Sequence, residues 1–150
     1  MRVKRRAEQI RMQLADSESH LLAGLIDDFS VMLAEADATD PAMQRLYPDG
    51  YSDDEEASAE FRQLVDADLT AARSGRLRAC RAELPDGSGT ISLTDEAADR
   101  WLRVLNDLRL TLGVRLGVTE EDELDSADPL ANIYHWLSAV QDLLLSQLME

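Results

Sequence analysis

The sequence of 150 residues has the composition of a packed protein with an acidic surface. Its hydrophobic content of 45%, with only 5% aromatic residues, predicts a single core filled by aliphatic side chains. Thirty acidic and 15 basic residues give a net charge of −15, which disfavours direct binding to nucleic acid or anionic lipid. No apolar run approaches the roughly 20 residues of a membrane span. We therefore expect a cytoplasmic protein, without a membrane anchor or a cofactor.

The first residues predict a basic arm followed by a strand. Residues 1–6 are rich in arginine and lysine and are predicted to form a flexible arm, so that residues 7–150 make a single α-rich domain. Residues 9–14 alternate apolar and polar side chains, as residues 90–93 do, and this is the period of a half-buried strand. We predict that the two segments pair as a small two-stranded antiparallel ribbon, which must lie on helices to be stable.

Two helices are predicted between these strands. The first is capped at residue 16 or 17 and runs to about residue 36, with apolar residues at helical spacing. Ser52–Glu55 has the spacing of a capping box and predicts a second helix that runs to about Arg73. Ser74–Gly75 is predicted to break or kink this helix. Residues 76–84 fit neither a helix nor a strand clearly.

The segment from Trp101 to Gly117 is so apolar that it predicts a central, largely enclosed helix. Thr94 is the predicted N-cap of this helix, which spans about residues 95–116. An acidic linker follows over residues 119–128, and a last helix is predicted from residue 129 to about Leu148. The predicted fold class is therefore mainly α, a single-domain helical bundle that carries the β-ribbon.

Cys80 is the candidate redox residue. Arg76 and Arg81 lie close to it in sequence, and positive neighbours favour the thiolate, which predicts a lowered pKa if the thiol is accessible. The alternative is a small apolar residue in a packed position. The arginines from Arg73 to Arg81 also form a local basic cluster that is suited to an acidic protein surface.

Several polar and aromatic residues are candidates for an interaction or for a structural polar contact. If Arg109 is enclosed, it needs partners from Asp107 or from the last helix, which would make it a structural residue. Aromatic residues at helical spacing stack on a ligand or, more often, fill a core. His20 and His135 lack the spacing of a metal site. The candidate set comprises Arg45, Trp101, Asn106, Arg109, Arg115, Tyr134, His135 and Trp136.

The central segment also carries a family resemblance. Residues 101–117 (WLRVLNDLRLTLGVRLG) resemble the hallmark of an actinobacterial domain-of-unknown-function family. Supporting blocks of the same family are similar to residues 45–48 (RLYP), 60–62 (EFR) and 133–137 (IYHWL). The resemblance covers about residues 8–148.

This resemblance implies a regulatory role. Genes of the family often lie beside the gene for a ClpS-type adaptor, and one mycobacterial member is an oxidative-stress transcriptional regulator. That member senses redox state through a cysteine pair and cooperates with an alternative sigma factor. The present sequence departs from it, because Cys80 stands alone among these 150 residues and leaves only an intermolecular or mixed disulfide.

Our leading hypothesis is a non-enzymatic cytoplasmic regulatory protein that acts through protein–protein interaction. A sigma factor or a component of the Clp system is the expected partner, and the apolar faces of the last two helices are expected to form a homodimer. One alternative is a direct DNA-binding transcriptional regulator that uses the N-terminal arm and residues 73–81. Others are a thiol sensor through Cys80 and a small enzyme with Arg109 and His135 in a deep pocket.

Overall fold

The computed structural model describes residues 1–35, 55–116 and 128–149, with the backbone alone over residues 55–68 and at residue 116. This part of the chain is mainly helical, which confirms the predicted class. No helix within it is long and apolar enough to cross a membrane. In chain order the elements are β1 (Arg2–Arg6), β2 (Gln9–Leu14), α1 (Asp16–Glu35), α2 (Glu55–Glu83), β3 (Gly89–Leu93), α3 (Asp95–Leu116) and α4 (Pro129–Leu148).

The β-structure is a three-stranded antiparallel sheet in the order β1-β2-β3. The predicted pairing of residues 9–14 with residues 90–93 is confirmed, with Met12 opposite Ile91. The prediction of only two strands was wrong, because β1 pairs with β2 along its whole length. The residues predicted to form a flexible arm are thus a strand, with Val3 only 8% exposed. The side chains of residues 2–6 alternate between the two faces of the sheet. Because four of the five residues are charged, the sequence does not show the apolar–polar alternation from which a strand is predicted.

The edge strand β1 is also joined to the end of α4. The backbone N–H of Arg5 donates to Gln147 Oε1 at 2.8 Å, and Arg5 Nε donates to the Gln147 carbonyl at 3.1 Å. Arg5 Nη2 lies 3.0 Å from Asp95 Oδ1 at the start of α3. A cation beside the carbonyls of a helix C-terminus is favourable, so Arg5 connects the sheet to α3 and α4.

Helix α3 is the centre of the fold, as the sequence predicted. It contacts α1, α2 and α4 as well as β2 and β3. Thr94 Oγ1 accepts a hydrogen bond from the Ala97 N–H at 3.1 Å, which confirms the predicted N-cap. Apolar residues of all the surrounding elements complete the core, among them Ile10, Met12, Leu22, Ile26, Leu77, Leu93, Leu137, Val140 and Leu144.

Helix α2 is continuous, so the predicted break at Ser74–Gly75 was wrong. A glycine inside a helix costs roughly 1 kcal/mol relative to alanine, which tertiary packing can offset. Leu77 and Cys80, both at most 1% exposed, provide this packing two and five residues further on. The capping box expected at Ser52–Glu55 lies mostly outside the described residues.

Gly75→Ala is expected to stabilise the protein by about 0.5–1 kcal/mol, because alanine restricts the unfolded chain and suits a helix. A Cβ at residue 75 would have nothing within 4 Å, so no clash opposes the gain. Urea denaturation followed by circular dichroism measures the effect. Gly24→Ala in α1, where a Cβ also meets nothing within 4 Å, is the matched control. A loss of stability in Gly75→Ala alone would show that the helix needs a glycine there.

Candidate functional site

A polar contact inside the bundle joins α2 to α3. Arg73 Nε lies 3.1 Å from Asp107 Oδ2, and their side chains are 15% and 8% exposed. Thr111, which is also buried, donates from Oγ1 to the Asp107 carbonyl at 3.2 Å. Burial raises the pKa of Asp107, while the charges of Arg73 and Arg76 oppose this increase. The arrangement is that of a buried ion pair between two helices.

Arg109 makes a second polar contact, this one between α3 and α4. Arg109 Nη1 donates to Ser138 Oγ at 3.2 Å, and Ser138 Oγ donates to the Tyr134 carbonyl at 3.1 Å. The guanidinium carbon of Arg109 lies 5.6 Å from the centre of the Tyr134 ring, within the range of a cation–π interaction. The last helix therefore supplies partners for Arg109, and it is one of the two sources that the sequence indicated. These contacts position the two helices relative to each other.

The aromatic candidates are divided between the core and the surface. Trp101 is fully buried, and Tyr134 is 8% exposed. The Tyr134 ring meets the His135 ring edge-on, at 6.0 Å between centres and 81° between planes. His135 is exposed, and Trp136 is partly buried against the core. Among these aromatic candidates the contacts bring together only Tyr134 with its neighbour His135, and Tyr134 with Arg109.

The remaining polar candidates lie apart from this contact. Asn106 is half-buried in α3, while Arg115 is exposed near the end of the same helix. Arg115 lines a small cavity of about 20 Å³ together with residues of α1. Arg45 lies outside the described residues, as does most of the acidic linker. The structure thus spreads the candidate residues over several places.

Cys80 lies on the face of α2 that packs into the core, and it has no exposed surface. Burial raises the pKa of its thiol to about 12, and the nearby Glu83 acts in the same direction. Arg100 and Arg76 lower the pKa but do not offset the burial. The lowered pKa that the sequence suggested is therefore not what this environment produces. A redox role for Cys80 stays a prediction, and it requires α2 to open.

Alkylation should be slow at Cys80 in the folded protein. A pKa of about 12 in place of 9.0 lowers the thiolate fraction at neutral pH by about a thousandfold, and burial adds a barrier to access. We expect labelling by iodoacetamide at neutral pH to be at least a thousandfold slower than in denaturant. Intact-mass spectrometry over time measures the rate. Labelling within minutes under native conditions would contradict the closed arrangement.

The basic cluster of residues 73–81 does not form one continuous surface. Arg73 points inward to Asp107, and Arg76 is half-buried. Arg81 Nε lies 3.1 Å from Asp27 Oδ1 of α1, while Arg78 is exposed. The helix thus places these arginines in different directions, because it turns about 100° per residue.

A different basic surface, whose N-terminal residues the sequence interpretation assigned to a flexible arm, covers the outer face of the sheet. Arg2, Lys4 and Arg6 alternate along β1 and are all exposed, and Arg11 of β2 stands directly opposite Lys4. Together with two polar neighbours these residues line a shallow depression of about 220 Å³. We call this set of four residues the basic face. The sequence signal for the basic face is a cation at every second residue from Arg2 to Arg6.

A small apolar surface remains at the end of α4. Leu145 is 47% exposed and Met149 is 79% exposed, and the two residues lie one helical turn apart on the same side. Most of the apolar stripe of α4 faces the core instead, through Leu137 and Leu144. We call Leu145 and Met149 the apolar end of α4. Exposed apolar side chains that lie side by side are candidates for part of a surface that contacts a partner.

Comparison with known proteins agrees with the resemblance found in the sequence. The model of a family described as a domain of unknown function, DUF2017, matches residues 1–148. The chain is 33% identical over 128 residues to the oxidative stress regulator AosR of Mycobacterium tuberculosis and to that of Mycobacterium bovis. These matches cover 73% of this chain and 59% of each relative, so the chain spans less than two thirds of their length. No solved structure matches.

Proposed function

Because the chain belongs to the DUF2017 family, we propose that it is a non-enzymatic regulatory protein of the stress response that binds another protein in the cytoplasm. The observation that carries the stress-related part is the similarity to AosR, which is named an oxidative stress regulator. The apolar end of α4 supports binding to a protein, because Leu145 and Met149 leave apolar surface uncovered. A sigma factor or a component of the Clp system is the proposed partner.

The regulatory role is tested by deleting the gene in the source organism and exposing the cells to hydrogen peroxide. We expect the deletion to change the set of transcripts that peroxide induces, and we expect the wild-type gene to restore it. The double variant Leu145→Gln/Met149→Gln should fail to restore it, because it removes the apolar contact surface. Val31→Gln, which changes an exposed apolar residue of α1 that is 54% exposed, is the matched control.

An unchanged peroxide response in the deletion strain would overturn the regulatory proposal. Capture of the tagged protein from peroxide-treated cells, followed by mass spectrometry, tests the partner. A sigma factor or Clp component should be recovered with the wild type and with Val31→Gln, and lost with Leu145→Gln/Met149→Gln. Recovery of the tagged protein alone would exclude a stable protein partner under these conditions.

Self-association remains part of the proposal, but its surface is smaller than the sequence suggested. The apolar stripes of α3 and α4 pack largely against each other within a single chain, which leaves fewer of their residues exposed to a second copy. A homodimer would use the apolar end of α4 instead. Light scattering over a wide concentration range decides this, and a monomer at every concentration would exclude the dimer.

A direct DNA-binding regulator is the second candidate. The basic face favours it, since four exposed cations lie together in a chain of net charge −15. The rest of the acidic surface opposes it, because a duplex extends well beyond a sheet of this size.

A further inference from the structure

The basic face has a regular geometry that suits an extended ligand. Arg2, Lys4 and Arg6 follow one another at every second residue of β1, which places successive Cα atoms roughly 7 Å apart. Arg11 adds a fourth cation beside the middle of this row, since it pairs with Lys4 in the register of the sheet. Residues directly opposite on neighbouring strands point to the same side. The four charges therefore form a compact row on one face.

The contacts of the fold do not explain this row of charges. Like charges directly opposite each other, such as Lys4 and Arg11, destabilise a sheet. Within the residues that the structure describes, none of the four cations has a carboxylate within the distance of an ion pair, whereas Arg5 on the other side of β1 pairs with Asp95. The chain has twice as many acidic as basic residues, so paired charges were readily available. A local arrangement that costs stability is typical of a functional surface.

Acidic residues limit the length of the basic face at both ends. Glu8 follows β1 in the turn, and Asp16 and Asp86 stand at the opposite end of the sheet. The row thus extends from Arg2 to Arg6, which is roughly 13 Å between the Cα atoms at its ends. A nucleic-acid duplex would carry its phosphates past this limit and over the acidic surroundings. A short acidic segment would not extend past the ends of the basic face.

We propose that the basic face binds an extended acidic segment of the partner protein. Glutamate or aspartate at alternate positions of such a segment would place carboxylates roughly 7 Å apart, which matches the spacing of Arg2, Lys4 and Arg6. The surface lacks apolar side chains, so the contact is mainly electrostatic and weakens as salt increases. This inference rests on the proposed function, and it assigns the partner a chemical character.

A fluorescent peptide of eleven residues, with glutamate and threonine at alternate positions, tests the proposal by anisotropy. Glutamine in place of every glutamate gives the matched control peptide. The full chain should bind only the acidic peptide, more weakly as salt increases. Lys4→Gln/Arg11→Gln should weaken binding by roughly tenfold, because two charge pairs are lost. Arg78→Gln/Arg115→Gln, which makes the same change in net charge at exposed residues elsewhere, should bind within about twofold of the wild type.

Lys4→Glu separates a binding role from a structural one. It creates a cross-strand pair with Arg11 and is expected to raise the melting temperature by about 1–2 °C while weakening the peptide complex. A lower melting temperature with unchanged binding would assign Lys4 to stability and overturn the proposal. So would equal binding of the two peptides, equal losses in both double variants, or preferential binding of a 20-base-pair duplex that Lys4→Gln/Arg11→Gln abolishes.

The peptide assay and the regulatory experiment test separate claims, so either can give a negative result while the other gives a positive one. A restored peroxide response without peptide binding would remove the basic face and leave the regulatory role. Specific peptide binding in the absence of any effect on transcripts would remove the regulatory role and leave the docking surface.

Discussion

Asp107→Ala is expected to lower the free energy of unfolding by about 3 kcal/mol or more, since it breaks a buried ion pair by removing one partner. The substitution leaves Arg73, whose side chain is 15% exposed, without the carboxylate that Nε contacts at 3.1 Å. Urea denaturation followed by circular dichroism measures the change. Asp99→Ala is the control, because its ion pair with Arg103 on the same helix is exposed and should contribute less than about 1 kcal/mol.

Replacing both partners of the buried pair should cost much less than replacing one. The double variant Arg73→Met/Asp107→Leu removes both buried charges and keeps apolar volume at the interface of α2 and α3, and such exchanges are often close to neutral. We expect it to be more stable than Asp107→Ala by about 2 kcal/mol or more. If the double variant were as unstable as the single one, other contacts of Arg73 would carry the stability.

The contribution of Asp107 to stability depends on pH, and burial of its carboxyl group sets the direction of this dependence. The pKa of Asp107 is raised above its ordinary value of 3.8, so the folded protein keeps this proton to a higher pH than the unfolded chain does. The contribution of Asp107 to stability is complete below that ordinary value and is lost as the pH rises through the folded pKa. The stability of the wild type relative to Asp107→Asn should therefore fall as the pH rises from below 3.8 through the pKa of Asp107 in the folded protein. A rise instead would show that Arg73 outweighs burial.

Trp101→Ala is expected to lower the free energy of unfolding by about 3–5 kcal/mol, because it opens a cavity at the centre of the bundle. Trp101 has no exposed surface and lies on α3, which contacts every other helix of the described fold. A protein of this size has only about 5–15 kcal/mol of stability, so this loss is a large fraction of the total and should lower the urea midpoint markedly. Urea denaturation followed by circular dichroism reports the loss.

Trp136→Ala provides the matched control for Trp101→Ala. Trp136 is the second tryptophan, and it is only partly buried against the core from α4. It should cost about half as much as Trp101→Ala or less, since part of its surface is already hydrated. Equal losses in the two variants would contradict the central position of α3.

The predictions of where the last two helices begin and end were accurate. The central helix spans Asp95–Leu116 and the last helix Pro129–Leu148, as the sequence predicted. Asp128 Oδ1 accepts from the Leu130 N–H at 2.9 Å, so the predicted start with an acidic cap and a proline is present. These signals are local, because a cap, a proline or a stripe of period 3.6 acts on residues a few positions away. The family was also visible in the central segment.

Predictions that depended on distant residues were less successful. The strand β1 is fixed by β2 and by Gln147, whose contact with Arg5 joins residues 142 positions apart. Without these contacts residues 1–6 have the composition of a charged arm. The continuous course of α2 likewise follows from burial of Leu77 against other elements, which outweighs the cost of Gly75.

The sequence by itself determined the fold class, the bounds of the central and last helices and the family. Only the tertiary structure decided which charged groups face inward and which face the solvent. Arg73 and Cys80 look in the sequence like parts of one basic, reactive segment, but both are enclosed by the bundle. The pKa of a thiol and the availability of a cation depend on burial and on partners brought together by folding. The sheet leaves the basic face uncovered for the same reason: pairing with β2 turns Arg2, Lys4 and Arg6 to one side.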